Sequence, residues 1–144
     1  MTVERAVGQR PLSTIDIAVY VGGLAVGLVL THVVIGADSE GHIGTLGGLA
    51  LAGVGVFIAV FMYVRRAAMT QRRYAYYFLH VIAFLMVNAS FMLHAVLMYS
   101  SGRGDEIMGS WRGVVFERPL FWAIGLFLHT LGTILSKGYE HVEV

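Results

Sequence analysis

Four of the six histidines in this 144-residue chain, His32, His80, His94 and His129, fall inside long apolar runs. Imidazole can ligate a metal, carry a proton or hydrogen-bond a neighbour near neutral pH. In a hydrocarbon environment such a group is costly unless it is paired, liganded or wet, so its presence calls for a chemical reason. His80 and His94 share the run from Gln71 to Ser101, QRRYAYYFLHVIAFLMVNASFMLHAVLMYSS. Fourteen helical residues return to within about 40° of the starting direction and advance about 21 Å. Both rings are therefore expected on one helix face at two depths.

The elements that must position them are membrane spans. The chain is 57% hydrophobic and 13% charged, with mean hydropathy +0.73, far from the balance of a soluble domain. It has no cysteine, which removes disulfides, iron–sulfur clusters and thiolate metal sites from consideration. A net charge of +1 leaves no nucleic-acid footprint. The leader MTVERAVGQRPLSTID contains acids and a proline and no small-residue cleavage site, so the first span is expected to be retained.

Four spans are predicted, at about residues 15–37, 42–64, 74–99 and 116–136, forming one all-α integral membrane four-helix bundle. Ser13 or Thr14 can cap the first, and Asp16 suits its N-terminal turn. Gly23 and Gly27 let a neighbouring helix approach. The linker Asp38-Ser39-Glu40-Gly41 is short enough to force an antiparallel return. Arg65, Arg66, Arg72 and Arg73 separate spans two and three, and the other connections are acidic or mixed. The positive-inside rule then places this basic turn, Lys137 and both termini in the cytoplasm. The Ser100–Glu117 connection reads as a surface loop with Trp111 at the membrane interface, and Arg118-Pro119 opens the last span.

With directions assigned, depths can be compared at about 1.5 Å per residue. His80 lies about 9 Å, and His129 about 12 Å, from the inner boundary. His94 and His32 each lie about 8 Å from the outer one. The expected pairs are His80 with His129 and His94 with His32, with His42 as an alternative outer ligand. Two imidazoles from different helices at each of two levels suit bis-histidine haem b, two per chain, in the bundle core. Gly125 and Gly132 flank His129 at i−4 and i+3 and can clear room for a ring.

The spacing of His80 and His94 resembles that in the dihaem cytochrome b subunits of quinone-linked respiratory enzymes. That resemblance implies stacked b haems that conduct electrons across the membrane, with quinone as a further candidate cofactor. Here the partner histidines come from spans one and four instead of from one second helix. A fainter similarity, carried by Arg72-Arg73 with His94 and by Arg118-Pro119-Leu120-Phe121 with His129, links the chain to a small membrane family associated with assembly of terminal oxidases.

Blander readings accompany each residue. A lone membrane histidine is often a packing residue, His42 a surface residue at the start of span two, and His141 solvent-facing in the tail. Met86, Met92 and Met98 read as core filler. Asn88 and Ser90 read as interhelical or backbone hydrogen-bonders. The expected function is electron transfer as a subunit of a respiratory or quinone-linked complex in a prokaryotic plasma membrane, surrounded by lipid and other subunits. The alternative is a cofactor-free structural or assembly subunit. No nucleophile–base constellation marks a self-sufficient enzyme.

Overall fold

The computed structural model describes residues 10–37, 43–72, 74–109 and 111–135. His42, His141, Arg73, Lys137 and the Asp38–Gly41 linker lie outside the described residues. Every regular element among those described is helical: α1 (Thr14–Gly36), α2 (Thr45–Met69), α3 (Ala75–Ser100), the short α4 (Gly104–Met108) and α5 (Arg118–Leu135). A π-helical turn, Gly113–Glu117, runs directly into α5, so the fourth apolar segment is Gly113–Leu135. All four long segments have the length and apolarity to cross a membrane, and large apolar side chains cover their exteriors. The protein is a multi-pass membrane protein.

Local chemistry explains the boundaries. Ser13 Oγ accepts from Asp16 N–H at 3.2 Å while Ser13 N–H donates to Asp16 Oδ2 at 2.9 Å, a reciprocal cap on α1. Asp16 also meets Arg65 of α2 at 2.8 Å. The α2 helix continues past Val64 through Arg65 and Arg66 to Met69, because arginine propagates a helix even where the apolar run has ended. Tyr74 turns the chain into α3 with φ 64°, an uncommon left-handed geometry for a side-chain-bearing residue. The π-turn precedes Pro119, whose ring would crowd the carbonyl four residues back in a regular α-helix.

The tightest packing joins α1 and α2. A Cβ on Gly23 would collide with the Phe57 ring, and one on Gly27 would sit 3.0 Å from Val54, so these glycines do admit the neighbouring helix. Tyr20 is fully buried against Phe57 and Phe61, and its hydroxyl donates to Leu79 O at 3.3 Å, tying α1 to α3. Leu79, Ala83, Val87, Phe91, Ala95 and Met98 form the buried face of α3 at helical spacing. The α5 helix rests on α3, and none of its residues is fully buried.

Candidate functional site

Both expected histidine pairs meet. At the end of the bundle carrying the α2–α3 turn, the rings of His80 on α3 and His129 on α5 have centroids 5.2 Å apart. His80 Nδ1 lies 2.8 Å from Tyr76 O, one turn earlier on the same helix. A carbonyl can only accept, so Nδ1 carries the proton and Nε2 of the neutral ring keeps its lone pair. That is the tautomer a metal-ligating histidine needs, held by an outer hydrogen bond. His129 Nε2 is buried and has no hydrogen-bond partner. Tyr77 stacks on His129 with centroids 6.2 Å apart, and its hydroxyl is hydrogen-bonded to Thr130 at 3.1 Å.

The position of this pair differs from the expected bundle core. His80 is exposed on the exterior of the α3–α5 contact, because α5 touches α3 from one side and is not enclosed by α1 and α2. Gly125 and Gly132 are exposed too, and a Cβ on either would meet nothing within 4 Å. The space beside His129 is therefore open.

At the other end, His32 of α1 and His94 of α3 touch directly, with their Nδ1 atoms 3.0 Å apart and ring centroids 4.9 Å apart. Such a contact needs one ring to donate and the other to accept. Phe91 meets His32 edge-on at 4.7 Å. Trp111, which its loop position suggested for the membrane interface, packs inside the protein. It is fully buried, with its ring 4.6 Å from His94 and 6.2 Å from Phe91. His32 Nε2 is buried without a partner. A largely apolar groove of about 720 Å³ between α1 and α3 passes beside both rings and ends at Ser101 and Arg103. The guanidinium of Arg103 is held by Glu106 through two 2.7 Å bonds.

Among the described residues, no third histidine or carboxylate joins either pair to make a metal-ion cluster. Two imidazoles alone do not fill the four-ligand shell of a structural zinc ion. They can complete a metal that brings its own planar ligands, as haem iron does. At the outer level His32 and His94 would hold such a group only after giving up their direct Nδ1 contact. The donor type, the tautomer of His80 and the two orphaned Nε2 atoms fit that group.

Sequence reasoning missed the Tyr76 carbonyl, the Trp111 stack and the α1–α3 groove. Every helical residue has a carbonyl four positions back, so Tyr76 gave no signal; a lone tryptophan in a glycine-rich loop was the available hint for Trp111.

Fold and site together define an all-α multi-pass membrane protein with two interhelical histidine pairs at different depths. No protein-family model, curated protein or solved structure matches the chain.

Proposed function

We propose that this chain is a membrane electron-transfer protein, a b-type cytochrome subunit of a respiratory or quinone-linked complex in a prokaryotic plasma membrane. His80 and His129 would hold one haem, and His94 and His32 a second. The observation that carries this reading is the convergence of His80 and His129, one with its Nδ1 proton committed to Tyr76 O and the other with a buried, unpartnered Nε2. Haem iron supplies the one-electron redox chemistry. The chain's residues would ligate it and fix ring orientation. The open flank at Gly125 and Gly132 fits a subunit whose partners complete the enclosure, and the α1–α3 groove suits an apolar ring system or a quinone.

Absorption of the purified protein tests this reading. A reduced-minus-oxidised b-type spectrum with about two haems per chain is expected. Protein made under haem-replete conditions with no Soret band would sink it.

The direct His32–His94 hydrogen bond favours a second reading, a cofactor-free structural or assembly subunit, because it satisfies both Nδ1 atoms without a ligand. Haem-free protein with unchanged assembly into its parent complex would support that reading.

A further inference from the structure

The two rings that meet at the α2–α3 end of the bundle are oriented by different means. A hydrogen bond from Nδ1 to Tyr76 O, 2.8 Å long, sets the ring of His80. His129 Nε2 has no partner, and the helix that carries it has no fully buried residue, so the packing of α5 does little to stop its ring turning. One aromatic side chain does meet that ring. Tyr77 lies against His129 with centroids 6.2 Å apart and planes within 29° of parallel, inside the range of an offset stack. Tyr77 precedes His80 by three residues, so the two stand side by side on one face of α3 and His129 rests against both.

The far end of Tyr77 is pinned to the next residue of α5. Thr130 Oγ1 lies 2.6 Å from Leu126 O and 3.1 Å from the Tyr77 hydroxyl oxygen. A threonine hydroxyl has one proton and a carbonyl can only accept, so that proton goes to Leu126 O and Tyr77 must donate to Thr130. A tyrosine near the end of a span ordinarily anchors among the headgroups through its hydroxyl. Here the hydroxyl is turned to the adjoining helix instead. We infer that Tyr77 is a positioning residue for His129: held by Thr130 at its hydroxyl, its ring stacks on the imidazole and fixes the direction in which Nε2 points. The use of that nitrogen as an iron ligand rests on the haem reading above; the fixing of the ring does not. Adjacent tyrosines then divide the task, the carbonyl of Tyr76 orienting His80 and the side chain of Tyr77 orienting His129.

The experiment compares the full wild-type chain in lipid bilayers with Tyr77→Phe, Thr130→Val and Thr130→Ser. The first keeps the ring and loses the donor, the second loses the acceptor at similar shape, and the third retains it. In haem-loaded protein, electron paramagnetic resonance of the oxidised state reads the relative orientation of the two ligand planes at each iron. Tyr77→Phe and Thr130→Val should shift the component of the His80–His129 level and weaken its haem retention roughly tenfold. Thr130→Ser should keep the wild-type signature, and the His32–His94 component should be unchanged throughout. In haem-free protein, solid-state NMR with nitrogen-15 histidine reads the ring itself. His129 should give one sharp set of ring signals in wild type and Thr130→Ser, and broadened or doubled signals in the other two. Thr130→Val is the decisive variant if Tyr77→Phe fails to fold. Wild-type protein with no Soret band defeats the haem reading alone, and the NMR comparison then decides this one. Unchanged spectra in Tyr77→Phe and Thr130→Val, or an equal change in Thr130→Ser, overturn the proposal whether or not haem binds. A change that spreads to the His32–His94 component overturns it too, because the residue would then act on the fold as a whole.

Discussion

His32 and His94, 62 positions apart in sequence, are joined through their Nδ1 atoms at 3.0 Å across the α1–α3 contact. This is a side-chain hydrogen bond in the half of the bundle away from the Tyr20 cluster, and it makes a prediction that does not depend on any cofactor. Replacing either residue by alanine leaves the other nitrogen half-buried and unpartnered, at a cost of about 1–3 kcal/mol. The double variant should cost less than the sum of the singles, with a coupling of about 0.5–1.5 kcal/mol in reversible unfolding in detergent. Strict additivity would mean that the bond contributes nothing.

The pairing also predicts a pattern among haem ligands. His80→Ala and His129→Ala should remove the same spectral component, and His32→Ala and His94→Ala the other. Low-temperature difference spectra of the four variants check this. Loss of one component by His80→Ala and His94→Ala alike would reject the assignment by depth.

Trp111→Ala should act on one level only. The indole fully buries itself beside His94 and Phe91, so its removal leaves a large cavity, costs about 3–5 kcal/mol and admits water to the His32–His94 level. If haem is bound there, its reduction potential should shift while that of the His80–His129 level stays put. Redox titration followed at two wavelengths separates the two.

Glycine positions on α1 give a stability contrast between adjacent residues. Gly23→Ala should destabilise by about 1–3 kcal/mol because Phe57 occupies the space its methyl needs. Gly22→Ala meets nothing within 4 Å and should be neutral or slightly stabilising. Thermal unfolding followed by circular dichroism compares them directly.

Tyr20→Phe preserves the stack on Phe57 and Phe61 and removes only the 3.3 Å bond to Leu79 O. The expected loss is about 1 kcal/mol. Tyr20→Ala should cost about 3–5 kcal/mol, because it also empties the junction of three helices.

Much of this architecture was legible because membrane spans are written as apolar runs and because rise per residue converts sequence position into depth. That is why His80 could be matched with His129, and His94 with His32, before any fold was known. Helix facing was less legible. Spans apolar on nearly every side carry little amphipathic signal, so nothing in the sequence placed His80 on the exterior of the α3–α5 contact. Helix ends were blurred for a related reason: α2 persists through Arg65 and Arg66, and α5 gains its first turn from a π-helical segment forced by Pro119. The burial of Trp111 was not legible because interfacial preference and burial in a loop-covered core draw on the same ring chemistry.

The weak seating of α5 gives the His80–His129 contact a thermodynamic meaning. The helix has no fully buried residue and leans chiefly on α3, yet it supplies one of the two imidazoles. Any molecule that bridges these rings adds its binding free energy to the docking of α5. Occupancy of this level and closure of the last helix are then a single equilibrium, and amide hydrogen exchange along residues 118–135 will report on both.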